Sequence, residues 1–199
     1  MKLQLIILST VVLALLSCSY PRNFTRDFFR ENESKLEALK NDFKNLYHQK
    51  PFAVLFEEKK FNHVNFEFIT DTLKRIYHFN INENSLKDSL DLYQYNTSAI
   101  LKLIKEMKEI QCTWINNIEY YVNLERRNLV MMVVRNKALN KAFKGESYCT
   151  LVFFERPQLF DGRGIFIDRA AKKRRRQLNG YVLRKVNDSV GYAITKVYR

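Results

Sequence analysis

Residues 52–68 read FAVLFEEKKFNHVNFEF, and this stretch contains the pattern on which the predicted fold depends. Apolar side chains occupy every second position in two runs, Phe52, Val54 and Phe56, then Val64, Phe66 and Phe68. Such alternation is typical of a strand with one buried face. The charged tetrapeptide 57–60 between the runs fits a solvated hairpin tip better than a binding site. The stretch therefore predicts two antiparallel strands.

Segments with the residue spacing of a helix precede and follow this hairpin in the sequence. Apolar residues recur at intervals of three and four in segments 34–50 and 97–110, which predicts two main amphipathic helices. Pro51 ends the first helix, and Asn96, Thr97 or Ser98 caps the second. A third run of alternation at 74–81 predicts another strand, and 85–93 a short helix.

The rest of the chain is mostly strand-like. Segments 113–122, 129–134 and 148–154 are rich in β-branched and aromatic residues. Asn179-Gly180 is a strong turn dipeptide. Asp161-Gly162-Arg163-Gly164 also predicts a turn and not a phosphate loop, because a strand-like segment follows it. The predicted fold class is α+β, an antiparallel β-sheet packed by two main helices, after an N-terminal signal peptide.

The N-terminus has the features of a secretory signal. Lys2 precedes a short apolar run over residues 3–16, too short to span a bilayer comfortably as a helix. The run ends in Leu15-Leu16-Ser17-Cys18, which resembles the lipobox of bacterial lipoprotein precursors. Leu16 is bulkier than the residue that many members carry there.

The resemblance implies cleavage after Ser17, a diacylglycerol thioether on Cys18 and an acyl chain such as palmitate on the new amino terminus. The expected organisation is a signal peptide at 1–17, a lipidated tether at 18–31 and a single α+β domain at 32–199. Ser19 after the cysteine implies a lipid-anchored, periplasm-facing location at the bacterial outer membrane. The alternative is a secreted protein cut nearby.

Two cysteines remain in the expected mature chain, Cys112 and Cys149. An oxidising compartment would permit a disulfide between them. The alternative is two buried free thiols that act as small hydrophobic side chains.

Positive charge is concentrated in the last part of the chain. The protein has 199 residues and a net charge of +13, and 46% of its residues are hydrophobic, which excludes disorder throughout. Residues 123–199 carry 18 basic and 6 acidic side chains, against 16 and 15 in residues 1–122. The basic segment 169–176 forms the centre of this excess through Arg169, Lys172, Lys173, Arg174, Arg175 and Arg176.

Three interpretations of this basic segment differ in its partner. The first is a solvated loop without a partner. The second is a contact for anionic lipid headgroups or for an acidic envelope protein. Nucleic-acid binding also fits the composition. We do not expect a nucleic-acid partner, because the signal peptide directs the chain to another compartment.

Recognisable catalytic motifs are absent from the sequence. It contains no G-x-S-x-G, H-E-x-x-H, P-loop or C-x-x-C pattern. The spacing of His48, His63 and His78 does not suggest a metal site, and we expect neither metal nor cofactor. The expected function is non-enzymatic binding or scaffolding in the cell envelope. The alternatives are a hydrolase whose site is built from scattered residues, or a carrier of a hydrophobic ligand.

Overall fold

The computed structural model describes residues 20–70, 74–122, 125–135, 139, 146–167, 177–178 and 180–196. In these ranges the helices are α1 (Tyr20–Gln49), α2 (Asn84–Leu92) and α3 (Thr97–Glu109). The strands are β1 (Phe52–Phe56), β2 (His63–Ile69), β3 (Lys74–Asn80), β4 (Cys112–Val122), β5 (Glu125–Arg135), β6 (Tyr148–Phe154), β7 (Gln177–Leu178), β8 (Tyr181–Val182), β9 (Arg184–Lys185) and β10 (Val190–Thr195).

Eight of the described strands form one antiparallel sheet in the order β3-β2-β1-β4-β5-β6-β10-β9, and β7 pairs separately with β8. The predicted α+β class is therefore confirmed. Phe56 pairs with Val64 across the β1–β2 turn, as the alternating pattern predicts. Strands β9 and β10 form another hairpin, around residues 187–189.

Helix α1 is longer than predicted. The expected tether at 18–31 is wrong for residues 20–31, which form the first turns of this 30-residue helix. Thr25 and Phe29 are buried there, because the apolar stripe continues toward the N-terminus. At about 1.5 Å per residue the helix is about 45 Å long, and it crosses the sheet. Its Phe29 ring lies 6.2 Å from that of Phe153 on β6, and its Phe43 ring 5.2 Å from that of Phe52 on β1.

The inner face of the sheet, which faces the helices, is filled by side chains. Phe52, Phe66 and Phe68 are almost completely buried. Their rings contact one another and Tyr95, and the Phe52 and Phe66 rings stack at 5.2 Å. Asn96 caps α3, as predicted, by accepting a hydrogen bond from the backbone N–H of Ala99 at 3.2 Å. The aromatic residues of this region thus pack the core.

The outer face of the sheet is covered over β4, β5, β6 and β10. The chain after β6 folds back across these strands and forms a second, smaller core with them. Phe166, Leu178 and Leu183 supply its buried cover. The outer face of β1–β3 lies beside this cover. Sequence periodicity had predicted helices on one face but not this second layer.

Candidate functional site

The two cysteines of the sheet are free thiols on strands that are not neighbours. Cys112 on β4 and Cys149 on β6 both pair with Val134 of the intervening strand β5. Two inter-strand spacings separate them by about 10 Å, beyond the 7 Å or so that a disulfide allows between Cα atoms. Of the two alternatives, this structure therefore has the buried free thiols and not the disulfide. Burial raises the pKa of each thiol to about 12.

The lipidation residue and the basic segment fall outside the described residues. Cys18 precedes the start of α1 by two positions. All six cations of the basic segment lie in the gap at 168–176. The predictions for these residues stay predictions.

The turn predicted at 161–164 is confirmed. The Asp161 carboxylate accepts hydrogen bonds from the backbone N–H groups of Arg163 and Ile165 at 2.9 and 2.8 Å. These bonds, that from Ile165 above all, lower the pKa of Asp161. Gly164 has a φ of 73°, which glycine adopts without strain. The residues thus stabilise a turn.

Two histidine–carboxylate pairs lie at the β1–β2 hairpin. His63 Nδ1 is 2.9 Å from Glu58 Oε1, and His78 Nδ1 contacts Glu57 Oε1. Both imidazoles are exposed, at 49% and 71% of the side chain. Among the described residues, no group of three or more histidine, cysteine, aspartate or glutamate side chains is arranged to hold a metal ion. The pairs are exposed hydrogen-bonded contacts at the end of the sheet.

A first cleft, here called the α1–β9 cleft, lies between the first turns of α1 and the β9–β10 hairpin. It has a volume of about 640 Å³. Its charged lining consists of Arg26, Asp27, Arg30, Glu33 and Lys185. Arg30 pairs with Asp27 at 3.1 Å, whereas Arg26 donates only to the carbonyl of Lys185, at 3.5 Å. Within the described chain, no carboxylate lies at ion-pair distance from Arg26, so its guanidinium is available to an external anion.

A second cavity, the outer-face groove, lies on the uncovered part of the sheet. It has a volume of about 300 Å³ and is lined by strands β1 to β4. Leu55, Ile76 and Trp114 supply its apolar surface, and the Ile76 side chain is 59% exposed. Glu67 and Lys74 form an ion pair across β2 and β3 at its margin. The groove thus combines an apolar floor with a margin where the charges of Glu67 and Lys74 compensate each other.

Sequence analysis predicted neither cavity. Arg26 and Glu33 belong to a segment interpreted as a tether, and Leu55 and Ile76 are the outward positions of strands. Only the spacing of Arg26, Arg30 and Glu33, which places them on one side of a helix, could have indicated a shared surface.

Comparison of the chain with protein-family models, with curated proteins and with solved structures finds no match. None of the helices in the described ranges is both long and apolar enough to cross a bilayer.

Proposed function

We propose that this chain is a lipid-anchored protein of the bacterial cell envelope, attached through Cys18, with a non-enzymatic binding or scaffolding role. The observation that carries the proposal is the lipobox-like sequence Leu15-Leu16-Ser17-Cys18 after a short apolar run. We place the protein at the outer membrane, facing the periplasm, because Ser19 follows the cysteine. A diacylglycerol and a further acyl chain together anchor a protein stably.

The fold supports a short connection between anchor and domain. Tyr20, the first residue of α1, follows Cys18 by two positions, so their Cα atoms are at most about 7 Å apart in any conformation. A lipid on Cys18 would therefore hold the start of α1 at the headgroup layer. Arg26 and the α1–β9 cleft would lie near that layer as well.

The basic segment 169–176 would add an electrostatic contact with anionic headgroups or with an acidic envelope protein. Each lysine or arginine near an anionic surface contributes about 1 kcal/mol. This contact would weaken as salt increases, because exposed charges are screened.

Intact mass of the membrane-extracted protein tests the anchor. We expect a chain that begins at Cys18 and carries the mass of diacylglycerol plus one acyl chain. The Cys18→Ala variant should lack that increment and leave the membrane fraction. An unlipidated mature wild-type chain would contradict the proposal and favour the secreted alternative.

A liposome assay tests the basic segment separately. The chain from residue 18 with Cys18→Ala is mixed with anionic vesicles over a salt series, with and without glutamine at Lys172, Lys173, Arg174, Arg175 and Arg176. A matched control replaces five lysines that have no ion-pair partner among the described residues, Lys35, Lys60, Lys87, Lys105 and Lys108. The segment variant should lose binding while the control retains most of it. Equal binding by the two variants would refute the contact.

One observation favours the second candidate function, carriage of a hydrophobic ligand. The outer-face groove exposes Ile76 beside Trp114, the single tryptophan of the chain. A fatty acid that enters the groove should change Trp114 fluorescence saturably, and Ile76→Asp should abolish the change. A hydrolase has less support, since the described histidine–carboxylate pairs are exposed at the hairpin and line neither cavity.

A further inference from the structure

A third cavity, here called the amide cleft, lies between α1 and the inner face of β4, β5 and β6. Two asparagines form part of its floor at positions that face the helices. Asn117 follows the buried Ile115 by two residues on β4, and Asn128 precedes the buried Val130 by two on β5. Side chains two positions apart on a strand share a face, so Asn117 and Asn128 lie on the inner face with Ile115 and Val130. Two residues further along the same face, Glu119 and Arg126 are exposed, so the two carboxamides lie at the edge of the core.

The amide cleft is small and open on one side. Its volume is about 160 Å³, the space of about five water molecules in the liquid. Helix α1 forms one wall and the strands form the floor. Its lining includes Lys40, Asn41, Lys44, Asn117, Asn128 and Phe153.

The carboxamides keep hydrogen-bonding capacity that no described residue uses. Asn117 Nδ2 donates to Asn128 Oδ1 at a long 3.4 Å. This bond leaves the carbonyl oxygen of Asn117 and the amino group of Asn128 without a partner in the described chain. Asn41, on the wall, also forms no side-chain hydrogen bond with a described residue. The cleft thus presents both donors and acceptors.

The charges at the amide cleft are neutralised within the protein. Lys44 Nζ lies 2.9 Å from Glu155 Oε1, and Lys40 contacts Glu37. Lys40 Nζ also lies 5.8 Å from the centre of the Phe153 ring. Since both cations already have carboxylate partners, the cleft has no strong preference for an anion.

From these observations we propose that the amide cleft binds one neutral sugar ring, either a free monosaccharide or the end of a glycan. A hydroxyl group is both donor and acceptor, and each carboxamide offers both functions in return. The small volume admits one ring, and the open side leaves room for a glycosidic link. This inference is independent of the anchor on Cys18.

Titration of the ¹⁵N-labelled full chain, followed by NMR, tests the proposal. The probes are the methyl glycosides of glucose and N-acetylglucosamine, the disaccharide of N-acetylglucosamine, and inorganic phosphate. At least one sugar should shift the side-chain amide signals of Asn117 and Asn128 saturably, with a dissociation constant on the order of 1 mM, as expected for a ligand of this size. Binding of the disaccharide with equal or higher affinity would identify the end of a glycan as the ligand, and binding of the methyl glycoside alone a monosaccharide.

Variants separate binding from folding. Asn128→Leu should raise the dissociation constant about tenfold or more, the effect of losing one hydrogen bond to a ligand. Asn65→Leu is the matched control, because Asn65 is also a half-buried asparagine of the sheet but faces the outer side. It should leave the constant unchanged. Should Asn128→Leu fail to fold, Asn41→Ala on the helix surface provides the same comparison.

Three results would overturn the proposal. The first is the absence of saturable shifts with every sugar up to roughly 50 mM, well above the expected constant. The second is an equal loss of binding in the Asn65 control. The third is binding of phosphate more tightly than any sugar, which would mean that the lysines are available to an anion.

Discussion

Substitution of Glu146 tests the ion-pair network that joins the β1–β2 hairpin to the ends of β5 and β6. The Glu146 carboxylate accepts a hydrogen bond from the Tyr148 hydroxyl at 2.7 Å and pairs with Lys59 at 3.0 Å and Arg135 at 3.2 Å. These contacts, led by the Tyr148 hydrogen bond, lower the pKa of Glu146 from its ordinary 4.5 to about 2. The network therefore stabilises the folded chain only while Glu146 is ionised.

The size of the effect follows from that shift in the pKa of Glu146. One pKa unit corresponds to about 1.4 kcal/mol, so the full shift sets an upper limit of about 3 kcal/mol. Because the Glu146 side chain is 25% exposed, screening by water reduces this, and we expect Glu146→Gln to cost about 1–2 kcal/mol at neutral pH. Between pH 4.5 and about 2, Glu146 is protonated to a greater extent in the unfolded chain than in the folded chain. The cost should therefore be complete above pH 4.5 and disappear as the pH falls toward 2.

Urea unfolding followed by Trp114 fluorescence measures this cost, at neutral pH and in acid. Glu155→Gln is the control, since Lys44 is the one ion-pair partner of Glu155 among the described residues and both side chains are more than a third exposed. The control should lose about 0.5 kcal/mol or less. The reasoning is refuted if the two variants lose equal stability at neutral pH, or if the Glu146→Gln deficit is undiminished near pH 2.

Three further predictions concern the core and the turns. Cys112 and Cys149 should both resist an aromatic disulfide reagent in the folded protein and react with it in urea, because both thiols are buried with a pKa of about 12. If neither thiol reacts in urea without reductant, the two cysteines are joined in a disulfide. Phe66→Ala should cost about 3–5 kcal/mol in urea unfolding, since it leaves a cavity in the aromatic cluster; a loss below about 1 kcal/mol would contradict the packing. Gly180→Ala should cost about 1 kcal/mol, because Gly180 has a φ of +81°, whereas Gly162→Ala, with open space around the new methyl group and no positive φ, should be nearly neutral.

Local sequence patterns predicted the helices and strands well where buried apolar residues recur at regular intervals. The alternation of Phe52, Val54 and Phe56 requires only neighbouring residues, and the structure has β1 at that position. The start of α1 was missed because Pro21 and the many polar residues of 20–31 were interpreted as a tether, although Phe24 and Phe28 continue the helical spacing. There, Thr25 and Phe29 are buried against strands far away in sequence, so tertiary packing extends the helix.

The candidate sites were less accessible to sequence analysis. Each cavity combines residues more than sixty positions apart, as when Lys40 on α1 and Asn117 on β4 line the same cleft. Asn117 interrupts the apolar residues of β4, which was a usable signal, whereas Asn128 follows the polar residues that begin β5. A sequence pattern does not show, however, whether such residues face solvent or a helix.

The α+β class, the β1–β2 hairpin, the cap of α3 and the turn at 161–164 could be predicted from residue patterns, because each follows from residues close together in the chain. The pairing of β1 with β4 in the middle of the sheet, the position of β5 between Cys112 and Cys149, and the cover that the chain after β6 lays over a second face became evident in the folded structure. These features depend on which distant apolar surfaces bury one another. Many sequences with the same local periodicity could satisfy that requirement in other ways.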